Sequence, residues 1–203
     1  MNEHSYWYLS RASGIVAWVV LAATCLWGIL LITRMLKPAD RPAWLLDLHR
    51  YLGVLSIVTT VVHILLLLGD KWMAPTLKEL FVPGSLRSVT QQHLNPAGNG
   101  AAVGAAMNWG ICALYLMIVI QVSSWAMKRI PKKIWHAIHL TSYALFVMVT
   151  IHGFMAGSDT DNMVLLLTMA GIIGIVAFSL MARILQGRAK RIQRAEANAL
   201  AGR

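Results

Sequence analysis

The stretches HRYLGVLSIVTTVVH, residues 49–63, and HLTSYALFVMVTIH, residues 139–152, each begin and end on histidine and are otherwise mostly apolar. Thirteen residues lie between His49 and His63, and twelve between His139 and His152. At 1.5 Å of rise per helical residue these separations are about 21 Å and about 20 Å. Two such helices each offer one imidazole at two matched depths, which is the layout for holding two stacked haems.

Ionisable side chains inside apolar spans are costly and mark functional sites. Neutral imidazole is a common axial ligand of haem iron. A single histidine reads more simply as a hydrogen-bonded core residue, but four at matched depths do not. The other ring nitrogen of each ligand needs an acceptor; a backbone carbonyl would serve, as would the hydroxyls of Ser56, Thr59 and Thr60 on one helix and Thr141, Ser142 and Thr150 on the other. His136, one turn before His139, is a rival ligand closer to the Lys132 and Lys133 boundary. At about 100° per residue, His63 returns to within roughly 40° of His49, whereas His152 stands roughly 140° around from His139. The second ligand helix must therefore bend, or its two histidines must serve differently oriented haems.

The rest of the chain supplies the membrane for these helices. Of 203 residues 58% are hydrophobic and only 13% charged, with eight Trp and eleven Met, which is too apolar for an ordinary soluble domain. A span needs about 20 mostly apolar residues, and five segments qualify: Gly14 to Thr33, Leu45 to Leu68, Ala101 to Met127, Ile134 to Phe154 and Met163 to Ala182. The runs lack the alternation of an outer-membrane barrel, so the expected fold is an all-α membrane bundle of five helices. Ala22, Ala23 and Thr24 before Cys25 loosely resemble a lipoprotein cleavage site, but the apolar run continues through Ile32 and reads as a retained helix.

Fourteen of the eighteen basic residues fall on one side. Arg34, Lys37, Arg41 and Arg50 flank the first connection, Lys128, Arg129, Lys132 and Lys133 the second, and Arg183, Arg188, Lys190, Arg191, Arg194 and Arg203 the tail. The positive-inside rule then predicts an outer amino terminus and an inner carboxyl terminus in a multi-pass bacterial plasma membrane protein. Residues 1–182 form the expected haem domain and 183–203 a basic cytoplasmic tail near anionic headgroups, where a cytoplasmic partner could also dock. The formal charge of +10 follows this topology rather than a folded basic face, so no nucleic-acid partner is expected. Cys25 and Cys112 lie in spans without C-x-x-C-H spacing and read as packing residues, so a haem here is b-type. No nucleophile–base pair, phosphate loop or carboxylate pair supports hydrolytic or transferase chemistry.

The two histidine stretches, together with RASGIVAW at 11–18, WHAIHLTSY at 135–143 and HGFMAGSD at 152–159, resemble the transmembrane domain of the ferric reductase superfamily. That superfamily includes NADPH oxidases, ferric-chelate reductases and the haem subunits of bacterial methionine sulfoxide reductase systems. The resemblance covers most of residues 10 to 182, and the unequal spacing of thirteen then twelve is part of the family pattern. It implies two haem b groups, with His49 and His139 on the inner iron and His63 and His152 on the outer one. Members commonly have six spans with ligands on the third and fifth; this chain reads as if the first were absent.

After Ala182 there is no G-x-G-x-x-G and no room for a βαβ unit of about thirty residues, so no flavin and nicotinamide domain is expected. The electron donor would then be a separate flavoprotein reductase, a membrane quinol or another subunit, with a quinone or flavin supplied by that partner and an acceptor on the outer side. Whether the chain is itself the terminal enzyme stays open. Two other readings stand beside electron transfer: a quinol-oxidising cytochrome b subunit of a larger redox complex, and a histidine-bearing metal transporter or membrane scaffold.

Several smaller features carry two readings. Gly100 and Gly104 form a G-x-x-x-G that reads as helix packing. Gly53 and Gly153, beside the ligand turns, read first as packing and second as room for a porphyrin edge. Haem propionates need cationic neighbours: Arg50 is the preferred inner candidate, while Arg11 and Lys71 read as flanking charges. The Trp residues near span ends fit an aromatic belt, and Trp135 could border the inner haem. The long segment from Gly69 to Gly100 is a candidate cap over the outer haem, whereas His93 and His4 read as solvated.

Overall fold

The computed structural model describes residues 5–33, 43–71, 75–85, 100–157 and 162–201. His4, Arg34, Lys37, Arg41, Arg87, His93 and Arg203 lie outside these described residues. The described residues are 89% helical and include no strand, and five helices are long and apolar enough to cross a membrane. In chain order the elements are α1 (Ser5–Thr33), α2 (Ala43–Leu68), the short α3 (Leu77–Phe81), α4 (Gly100–Trp125), α5 (Lys132–Leu140), α6 (Ser142–Ala156) and α7 (Met163–Ala201).

The long helices are apolar all round, as spans surrounded by lipid are. Leu65, Val147 and Phe178 are among many large side chains left exposed on the outside of the bundle. What ends the helices is local. Asn162 caps α7 through Oδ1, which accepts from the backbone N–H groups of Val164 at 3.0 Å and Leu165 at 3.2 Å. Pro131 precedes α5, where its missing N–H costs nothing. Thr76 and Glu79 close a capping box around α3.

The fourth span is interrupted. α5 ends at Leu140 and α6 starts at Ser142, with the Thr141 N–H bonded to Ile138 O at 3.0 Å, a tightened turn two residues after His139. The helix is thus interrupted between His139 and His152, the segment where the sequence called for either a bend or differently oriented haems.

Two helix pairs make up the main interfaces, α1 with α2 and α4 with α6, and α1 also packs on α6 and α7. Their meeting point is a core of Trp18, Leu21, Ala22, Cys25, Ala113, Ile120, Leu145, Phe146 and Val176. Trp18 anchors it, stacking on Phe146 at 5.8 Å and donating its indole N–H to Thr150 Oγ1 at 2.9 Å. Interhelical hydrogen bonds in a bilayer contribute about 0.6 to 2 kcal/mol. Trp18→Phe is therefore expected to lower stability by about 1 kcal/mol without changing the fold, read as an earlier thermal transition in detergent; an unchanged transition would remove this bond from the stabilising contacts.

α7 is 39 residues long, about 58 Å against a hydrocarbon core of about 30 Å. Its last turns, residues 187–200, are exposed throughout and carry Arg188, Lys190, Arg191 and Arg194. The chain is a multi-pass membrane protein.

Candidate functional site: two levels of paired histidines

His49 on α2 and His139 on α5 meet with ring centroids 6.0 Å apart and planes at 78°. Trp135 stacks on His139 at 5.1 Å and 20°. Behind His49 the α1 backbone comes close at Gly28, where an added Cβ would stand 3.1 Å from the ring's Cε1. The buried Nδ1 atoms of His49 and His139 have no hydrogen-bond partner, and neither do the indole nitrogens of Trp27, next to Gly28, and Trp135. An unpartnered buried donor costs about 1–3 kcal/mol, so this end of the bundle is polar in a way its packing alone does not satisfy.

The second level joins His63 on α2 to His152 on α6. Both line the same two half-open cavities. Leu80 of α3 reaches the first cavity, and Arg11, Trp18 and Gly153 line the second. The segment around α3 is tied to α4 at this level by Tyr115 Oη donating to Phe81 O and by the Gly84 N–H donating to Asn108 Oδ1, both at 2.7 Å.

Here the ring nitrogens are held. His63 Nδ1 lies 2.8 Å from Ser10 O and His152 Nδ1 lies 2.8 Å from Ala106 O. A carbonyl only accepts, so each Nδ1 carries the proton and each Nε2 keeps its lone pair for ligation. Glycine lets the rings reach these carbonyls. An added Cβ would stand 3.0 Å from His63 Cε1 at Gly14, and 2.8 Å from His152 Cε1 and Nδ1 at Gly110. In both cases the accepting carbonyl belongs to the residue four before the glycine. Thr24, four before Gly28, turns its carbonyl toward His49 in the same way but outside hydrogen-bond geometry at Nδ1.

Three observations fit a haem at each level. With metal–imidazole bonds of about 2 Å, two axial rings on one metal have centroids about 6 Å apart, which is the spacing of the His49–His139 pair. At the other level both histidines line the same two cavities, so there is open space beside each ring. Gly153 meets no described atom within 4 Å of an added Cβ, which favours its reading as space rather than packing. Among the described residues no group of three or more His, Cys, Asp or Glu is placed to hold a metal ion. Two imidazoles per level suit a metal that brings its remaining ligands with it.

The other sequence candidates fall as follows. His136 is exposed, while His139 is the one that faces His49. Arg50 is exposed and pairs with Asp47 at 3.5 Å. Lys71 is exposed. Arg11 lies over the Trp7 ring at 4.1 Å beside the second cavity. Arg183 of α7, which sequence reasoning assigned only to the tail, hydrogen-bonds Tyr143 and lies close enough to His139 to act on its charge. Ser56, Thr59, Thr60, Thr141 and Thr150 donate to carbonyls of their own helices, as hydroxyls in spans commonly do. The ring acceptors come instead from the backbones of α1 and α4.

The glycines at 14, 28 and 110 were not singled out from sequence. A signal for them exists: Gly14 and Gly28 are fourteen positions apart, the same step as His49 to His63.

Residues 13–150 match the family described as Ferric reductase like transmembrane component. That match spans more than half the chain, and the chain belongs to this family. Neither the curated proteins nor the solved structures compared with it give a match. Membership suggests transmembrane electron transfer, and domains of this family usually bind haem.

Proposed function

We propose that the chain is a di-haem cytochrome b that carries single electrons across the membrane. His49 and His139 hold one haem iron, and His63 and His152 the other. The observation that carries this reading is the pairing of four intramembrane histidines, two by two, across a shared gap between α2 and the α5–α6 span. Bound haem supplies one-electron chemistry at iron. The chain's own residues orient the ligands: the Ser10 and Ala106 carbonyls fix the tautomers of His63 and His152, and the glycines let α1 and α4 press against the rings. Trp18, Phe146, Leu145 and Leu21 pack between the levels and keep water out. Distribution of basic residues supports an inward His49–His139 level and an outward His63–His152 level. Electrons then enter from a cytoplasmic flavoprotein or a membrane quinol and leave to an acceptor on the outer side.

The purified chain should contain two b-type haems, each low-spin with two histidine ligands. Pyridine haemochromogen analysis against protein mass measures the ratio, and reduced-minus-oxidised spectra give the spin state. Well-folded, colourless protein that takes up no added haem would overturn the reading and favour a transporter or scaffold.

A further inference from the structure

The first cation of α7 is Arg183, about 30 Å along the axis from Met163 and so near the edge of the hydrocarbon. At that depth an arginine ordinarily snorkels out to the headgroups. Arg183 turns the other way: Met181, Ile184 and Leu185 beside it are exposed on the outside of the bundle, while its own side chain is half-buried and donates from Nη1 to Tyr143 Oη. The guanidinium carbon lies 5.7 Å from the centre of the Tyr143 ring. Tyr143 stands one helical turn from His139, and the Arg183 charge is felt at His139 as well.

A phenol hydroxyl accepts a hydrogen bond but is no counter-ion, and a half-buried charge without one is costly. Among the described residues no carboxylate pairs with Arg183. The buried indole N–H groups of Trp27, next to Gly28, and of Trp135, stacked on His139, have no acceptor either, and an indole nitrogen only donates. This level therefore holds a positive charge and spare donors with no negative side chain beside them. Haem carries two propionate carboxylates, which only accept, and guanidinium pairs with carboxylate in a strong, charge-assisted way.

We propose that Arg183 binds a propionate of the haem held by His49 and His139 and raises that haem's midpoint, the role the sequence suggested for Arg50. This rests on the di-haem reading. An electron arriving on the iron adds one negative charge, and a fixed cation nearby favours that state. A lipid phosphate offers the same anionic oxygens from the headgroup layer; the inward turn of Arg183 favours the haem, and the two sources differ in what a titration reads.

The test is a redox titration of the full-length chain in membranes, resolved into two haem components and assigned with His139→Ala. Arg183→Gln is expected to make the His49–His139 component about tenfold harder to reduce, a fall of about 59 mV for one electron, with the other component unmoved. Propionate modes of that haem in the resonance Raman spectrum should shift with it. Arg183→Lys keeps the charge and should keep most of the midpoint, and Arg188→Gln, on the exposed end of α7, should move neither component. If Arg183→Gln does not assemble, Tyr143→Phe carries the test: it frees the guanidinium from its tether and should shift the same component in the same direction by less than tenfold. A midpoint and propionate modes unmoved in whichever of the two assembles would assign Arg183 to lipid phosphate or packing and overturn the proposal. An equal shift in Arg188→Gln would overturn it too, as a general effect of surface charge. A wild-type chain with fewer than two haems would instead overturn the di-haem reading beneath it.

Discussion

Replacing His63 by Ala is expected to halve the haem content of the purified chain. The lost haem should be the one nearer α3, with the spectrum of the His49–His139 haem nearly unchanged. Its partner His152 should behave identically, since either ring alone leaves one axial position open. The two levels are independent because His49 and His63 are about 21 Å apart along α2. The bundle should survive as well: Thr24 Oγ1 and Ser56 Oγ remain within 3.2 Å across the α1–α2 interface, and Trp18 keeps its contacts with Phe146 and Thr150. The measurement is haem per chain by pyridine haemochromogen, with circular dichroism to show retained helix. Adding imidazole to His63→Ala should restore the low-spin signal, as free ligand enters the vacated space. Loss of both haems together, or of neither, would show that the two levels are not separate sites.

Five spans and their order were legible in the sequence because lipid imposes a length rule that few other structures satisfy. The awkward azimuth of His139 was legible as a demand for a bend or for differently oriented haems, and the helix is interrupted two residues after it, at Thr141. What the sequence hid is relational. Gly14 and Gly110 look like ordinary small residues in apolar helices, and their meaning appears only when the register across two helices is known. Neighbours in sequence also mislead. Arg50 follows His49, yet one helical step turns it about 100° away, and it lies exposed beside Asp47. Arg183 is far away in sequence and reaches Tyr143 because α7 returns along the bundle. Hydroxyls on the ligand helices suggested themselves as ring acceptors, but a side chain leaving its own helix meets the backbone of the next one.

Gly110→Val should remove the same haem as His152→Ala, although glycine contributes no ligand atom. A Cβ at residue 110 would stand 2.8 Å from both Cε1 and Nδ1 of His152, closer than real Cβ atoms come to anything. Valine adds two methyl groups to that Cβ. The helix has no easy retreat, because Ala106, Ile111 and Ala113 around the site are all at most 4% exposed. The imidazole is the part that can move, and moving it breaks the bond to Ala106 O that fixes its orientation. Overpacking of this kind typically costs about 1–3 kcal/mol, enough to empty a site without unfolding five helices. The same reasoning ranks the alanine variants: Gly110→Ala should be most harmful, then Gly14→Ala at 3.0 Å, then Gly28→Ala at 3.1 Å, the last acting on the His49–His139 haem. Gly171→Ala on α7, where no described atom lies within 4 Å, should keep both haems and gain up to about 1 kcal/mol of helix stability. Haem content across this series separates the two explanations of the glycines. If Gly110→Val and Gly171→Ala retain haem equally, close approach of α4 to His152 is ordinary packing; a loss confined to the contact glycines makes those backbones part of the site.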